Sequence, residues 1–241
     1  RLTLALGLRV PTLKAGHHMG WTMFQALGAH GPELSPAGAA VLDAGLVGAA
    51  FAFLFSAPRA NRMTAAMLAP MVVAMTALRV VMQPLPNIQP VTVAALLVGA
   101  HLGAKRGVAF AILVTLLSNL LISHGWWTLF QALGWSTVAV IGAKANLIED
   151  GELNHRRLYL LAALVAPLFG VIATLSLVSS SMTASQFMML VWQGLPFDAV
   201  HALGNVAFAV WTGSMIHRFL SGLTALEDEV LATGELHGID A

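Results

Sequence analysis

Leu85-Pro86-Asn87-Ile88-Gln89-Pro90-Val91-Thr92 stands between two apolar runs, and Ser118-Asn119 and Trp126-Trp127-Thr128-Leu129-Phe130-Gln131 echo it further on. Pro86 and Pro90 forbid a continuous helix here, while Asn87 and Gln89 offer donors and acceptors from its non-helical part. Irregular backbone facing lipid is not tolerated at membrane depth, so such a segment caps a helix bundle or lines a cavity inside it. A small molecule is expected to bind at these residues. An ordinary Pro-rich turn between helices is the alternative.

The apolar runs on either side set the fold class as an all-α integral membrane protein. Hydrophobic residues make up 58% of the 241 and charged residues 10%, against roughly a quarter charged in ordinary soluble domains. Strand alternation appears nowhere. The expected spans are 37–57, 63–82, 88–104, 108–123, 128–147, 158–180 and 199–220, most of them near the roughly 20 residues that cross the hydrocarbon core. The run 88–104 is short and carries His101, so it is expected to be tilted, broken or shielded by neighbours.

Lys and Arg then orient the bundle. Arg59 with Arg62, Lys105 with Arg106, Lys144 with Arg156 and Arg157, and Arg218 fall on every second connection. The connections around 84–90, 124–127 and 181–198 carry none. The positive-inside bias makes the first set cytoplasmic and the second external, with both ends of the core inside a bacterial plasma membrane. Three regions follow: 1–61 with an extra transmembrane helix, a six-helix core over 62–220, and a short acidic cytoplasmic tail over 221–241, expected as one helix with a loose end and read as a solvated terminus.

Each remaining candidate has two readings. Arg79 contacts a polar ligand or snorkels to the external headgroups. Asn119, inside an apolar run, is helix-to-helix glue or a ligand partner. His124, Trp126, Trp127 and Gln131 cluster at one external turn, where tryptophan is normally an interfacial anchor. Adjacent indoles point in different directions, so one is expected to face lipid and the other a cavity. Ala65 and Ala69, like Gly99, Gly103 and Gly107, have the small-xxx-small spacing that lets backbones approach. Asp43 is the costliest charge in the spans and should face protein or water. Residues 21–28 nearly reproduce 127–134, which suggests no more than a shared helix-start pattern.

Several functions are disfavoured. The formal net charge is +1 and no basic stripe of the kind nucleic acid requires occurs. No G-x-x-x-x-G-K-[ST], no G-x-S-x-G and no pair of carboxylates within the spans is present. The chain therefore reads as no enzyme. Nine histidines, none in HExxH or His-x3-His spacing, and no cysteine give no metal site, and no cofactor is expected.

The ordered set Pro86-Asn87-Ile88-Gln89-Pro90-Val91-Thr92, Gly99, Gly103, Gly107, Ser118-Asn119, Gly125-Trp126-Trp127-Thr128 and Gln131 resembles the S components of energy-coupling factor (ECF) vitamin transporters, most of all the cobalamin-type group. The resemblance covers residues 62–147 well and the rest in helix layout. It implies a six-helix subunit that binds a vitamin at the external side and works with a transmembrane coupling subunit and two cytoplasmic ATPases. Cobalamin or a corrinoid precursor is the leading substrate. It implies a coupling-subunit contact at Ala65 and Ala69. The residue types and their place in the external half make Arg79, Asn87, Gln89, Asn119, His124, Trp126, Trp127 and Gln131 the expected substrate contacts. Gly125-Trp126-Trp127-Thr128-Leu129 stands where the family often has Gly-Pro-Trp-Thr-Pro, which points to a different vitamin or micronutrient as an alternative. A stand-alone membrane module with a structural or regulatory role is the rival.

Overall fold

A computed structural model describes residues 24–28, 31–57, 62–85 and 87–237. Arg59, Pro86, His17 and His18 lie outside the described residues. The described residues are mostly helical, with two small hairpins. Its elements are β1 (Phe24–Gly28), β2 (Gly31–Leu34), α1 (Pro36–Phe55), α2 (Arg62–Val81), α3 (Val91–Ile122), α4 (Trp127–Lys144), β3 (Ile148–Glu149), β4 (Glu152–Leu153), α5 (His155–Thr174) and α6 (Ala184–His237). Among the described residues, four helical stretches are long and apolar enough to cross a membrane: Pro36–Phe55, Val91–Ile122, His155–Leu177 and Ala184–Glu229. A shorter apolar stretch runs over Leu68–Val81. This is the make-up of a helical membrane protein.

Local chemistry sets the helix starts. Ser35 caps α1 by accepting from the Gly38 amide at 3.0 Å, with Pro36 in the first turn. Asn154 caps α5 by accepting from the Arg157 amide at 3.0 Å.

α3 is the hub, and it is two arms rather than one rod. Gly103 has φ 83 and ψ 165, outside helical space and accessible without strain only to glycine. The chain reverses there, so the two spans expected on either side of Lys105-Arg106 appear as arms of a helical hairpin. A Cβ on Gly107 would lie 3.0 Å from the Gly99 Cα, a distance only a reversal allows. Gly103 is therefore the hinge, not a packing position, while Gly99 and Gly107 do pack. A Cβ on Gly99 would run into the Ala139 carbonyl, and one on Gly142 into the Leu96 carbonyl. This double notch lets α3 and α4 touch backbone to backbone.

Gly99→Leu is expected to cost about 3 kcal/mol or more, the upper end for overpacking, because the obstructing atoms are backbone. Thermal melting in detergent reads this directly; an unchanged midpoint would mean the arms can separate without penalty.

The first arm is shielded on every side. Val91, Val93, Ala94, Ala95, Leu96, Leu97 and Val98 are fully buried. The shortness of this run is thus resolved by neighbours that cover it. Large apolar side chains such as Val81, Leu121, Trp192, Leu203 and Trp211 instead point outward, as expected where lipid rather than water is the solvent.

Lys105, Arg106 and Arg157 lie at one end, the basic end of the bundle. Lys105 Nζ donates to the Ser56 carbonyl at 2.7 Å, bringing the end of α1 to the α3 reversal. Arg157 donates to the Ala145 and Asn146 carbonyls and to Glu149 at 2.6 Å. Arg106 makes a bidentate pair with Glu227, at 2.9 and 2.8 Å, both side chains only 7% exposed.

That pair corrects the reading of 221–241 as a solvated tail. The helix expected there is present, as the continuation of α6 to His237, but Glu227 is docked against the α3 reversal. The stretch 184–198, expected as part of a connection, is also helical and belongs to α6.

Two smaller corrections and one expected contact, that of Asp43 with protein, follow. β1 pairs antiparallel with β2, and β3 with β4 across Asp150 and Gly151, both at positive φ. That is the Asp-Gly signature of a tight hairpin turn. Phe24-Gln25-Ala26-Leu27-Gly28 is strand, whereas the identical Phe130-Gln131-Ala132-Leu133-Gly134 is helix, so the near-repeat is no shared helix start. Tertiary context overrides local propensity here. Asp43 lies 3.1 Å from His124 and ties α1 to the α3–α4 turn.

Candidate functional site

At the end of the bundle opposite the basic one, the C-terminal turn of α2 places Arg79 in the interior, 4% exposed. Its guanidinium is ringed by neutral acceptors. Nε donates to Gln89 Oε1 at 3.0 Å. One terminal nitrogen donates to the Ser118 hydroxyl and to Asn119 Oδ1, the latter at 2.5 Å, and the other donates to Gln131 Oε1 at 3.2 Å. The guanidinium carbon sits 4.9 Å from the centre of the Trp135 ring.

The acceptors are held in turn. Ser118 donates to the Val114 carbonyl, which turns its lone pairs toward Arg79. Asn119 Nδ2 donates to Thr128 Oγ1 at 2.9 Å and to Gln131 Oε1 at 2.8 Å. Two motifs separated in sequence therefore converge because α3 and α4 are adjacent and the α2–α3 loop folds over them. Asn87, at φ 59, keeps that loop in place by donating to the Phe197 carbonyl of α6 at 3.2 Å.

Two adjoining cavities open beside this network. The larger, about 510 Å³, has Arg79, Asn119, Trp127 and Gln131 in its wall, closed by Ala173 and Thr174 at the end of α5 and by Leu177 in the turn after it. The smaller, about 200 Å³, is bounded by Asn87, Gln89, Trp135, Phe169, Asp198 and His201. Gln131, Ala173 and Thr174 belong to both walls.

Six of the eight expected contact residues thus meet here: Arg79, Asn87, Gln89, Asn119, Trp127 and Gln131. Arg79 does not snorkel; its head is turned inward. His124 and Trp126 are placed elsewhere. His124 faces Asp43 on the α1 side, and Trp126 packs edge-on against Phe130, ring centres 5.3 Å apart. The adjacent indoles do diverge, and Trp127 is the one at the cavity. Ala69, far down α2, is exposed; Ala65 lies on the same helix, outside the residues whose side chains are described.

The second cavity adds residues that sequence reasoning missed. His201 Nε2 lies 3.1 Å from Thr92 Oγ1, which also accepts from Trp135 Nε1 at 3.2 Å. Asp198 packs against Gly170 of α5, where no side chain would fit. Three residues apart on α6, Asp198 and His201 share a face. The available signal was the pair of polar residues in an otherwise apolar stretch.

The arrangement offers hydrogen-bond donors set by an amide network and flanked by indole walls. No group of three or more His, Cys, Asp or Glu able to hold a metal occurs among the described residues.

The family model for DUF6580, a family of unknown function, matches residues 59–219, and the chain belongs to that family. No curated protein and no solved structure matches it.

Proposed function

We propose that this DUF6580 member is the membrane-embedded substrate-capture subunit of an ECF-type importer, binding a vitamin or related small organic molecule from outside the cell. The observation that carries the reading is the cavity beside Arg79, where side chains from α2, α3, α4 and the α2–α3 loop meet around open space. Structural helix glue would need the hydrogen bonds but not the space. A volume of about 510 Å³ falls in the range of roughly 300–1,000 Å³ typical of small-molecule sites. It suits a molecule of a few rings, which moves weight from a whole corrinoid toward a smaller vitamin or micronutrient.

The rest of the reading follows from charge and from what the chain lacks. With the basic end cytoplasmic by the positive-inside bias, the cavity opens to the outside, where a capture subunit needs it. Without a nucleotide-binding loop of its own, the chain depends on a transmembrane coupling subunit and two ATPases. Ala65 and Ala69 on the cytoplasmic half of α2 are the proposed contact with the coupling subunit.

Titration of the detergent-purified chain with a panel of vitamins, cobalamin and cobinamide included, tests the reading. At least one is expected to bind, and Gln131→Ala and Trp127→Ala should each weaken it by about 1–3 kcal/mol, or one to two decades. If every vitamin fails to bind the folded protein, or the binder ignores both substitutions, the capture reading is wrong.

A further inference from the structure

The cavities carry two opposite charges that do not neutralise each other. Arg79 is charged at any working pH and almost wholly buried. Among the described residues its four hydrogen bonds all go to neutral groups. A guanidinium has five N–H groups, so one remains. Gln131, in the shared wall, and Gln89, in the wall of the smaller cavity, turn their carbonyl oxygens to Arg79, which leaves their amide N–H groups without a described partner. The wall of the larger cavity therefore presents the Gln131 amide and a positive charge.

The smaller cavity adds the opposite charge. Asp198, half-buried, forms no hydrogen bond or ion pair among the described residues. A carboxylate offers only acceptors. Burying either charge without an ionised partner is costly, and the shared wall of Gln131, Ala173 and Thr174 places the two sites side by side.

We infer that the two cavities form one site for a small amphoteric solute, its carboxylate held by Arg79 and Gln131 and its basic group by Asp198. A solute with only an acid would meet Asp198 as a like charge, and one with only an amine would leave Arg79 unmatched. Trp127 on one side and Trp135 and Phe169 on the other favour a flat middle between the two groups. The inference rests on the capture reading and narrows it to a substrate class.

The test uses the full chain in lipid nanodiscs. The probes are ω-amino acids of two to eight carbons, 3- and 4-aminobenzoate and 4-(aminomethyl)benzoate. Each is paired with the same skeleton lacking the amine or lacking the acid, and the vitamin panel is run alongside. At least one amphoteric probe is expected to bind about tenfold or more tighter than both of its controls. Asp198→Asn should erase its advantage over the acid-only control while leaving acid binding in place. Arg79→Lys, which keeps the charge but loses the fork, should weaken probe and acid alike by about tenfold.

The inference is overturned if the acid-only controls bind as well as their amphoteric partners, if Asp198→Asn changes nothing, or if no probe of the series binds. A vitamin that binds through Trp127 while no amphoteric advantage appears would sink the inference and leave the capture reading standing. If nothing binds, both fall.

Discussion

Arg79→Ala is expected to reduce binding of any solute that fills the cavity by about 2–5 kcal/mol, roughly one and a half to three and a half decades. The substitution removes the charge and also strands the groups built to face it. Gln89 Oε1, Ser118 Oγ, Asn119 Oδ1 and Gln131 Oε1 all accept from Arg79. Without it their dipoles converge on an empty point, and the amides turn their N–H groups inward to fill it. The donor wall would then be lost even though no other side chain changed. Isothermal titration of the parent and variant with a vitamin or amphoteric probe that binds the parent supplies the measurement. Arg79→Lys guards against a variant that fails to fold, since it keeps a cation in place and should retain part of the affinity. Full affinity in a folded Arg79→Ala protein would show that the guanidinium only holds the helices together.

Glu227→Ala should be the most destabilising change at the other end, at about 3–5 kcal/mol. Arg106 would be left buried with its bidentate partner gone, and water reaches neither side chain freely. For a chain of this size that corresponds to a fall of roughly 6–20 °C in melting temperature. Replacing both partners, as in Arg106→Met with Glu227→Met, should recover most of the loss, because two matched apolar side chains leave no orphaned charge. Thermal melting of the single and double variants distinguishes this from a plain packing effect. A single variant that melts with the parent would mean that the helix beyond Leu220 contributes nothing.

Legibility followed sequence distance and the kind of signal. The apolar runs, the break after the first arm of α3 and the amide-bearing motifs of the site were readable because each is local and costly to place elsewhere. The position of Arg79 was ambiguous in sequence, since a cation near a helix end is equally at home in headgroups or in a cavity. Only the approach of Ser118 and Asn119, some forty residues on, decides it. Glu227 looked like part of a solvated tail because its partner lies 121 residues earlier, beyond any periodicity. Asp198 and His201 were hidden in what read as a connection and a span, because their site exists only once α6 lies against α5. The Asp150-Gly151 turn was legible and was passed over among stronger helical signals. The pentapeptide in β1 and α4 could not have been resolved from its own letters, since they are identical.

The first arm of α3 holds only about a dozen residues before Gly103, so at 1.5 Å per residue it is about 18 Å long. A bilayer's hydrocarbon is about 30 Å thick. In a membrane the loop above this arm, and the cavity it covers, therefore sit well below the plane of the headgroups. Because neighbouring helices fully cover residues 91–98 of this arm, the recess is made inside the protein and not by thinning of the surrounding lipid. A solute from outside therefore travels below the headgroup level, along protein walls, before it meets Arg79.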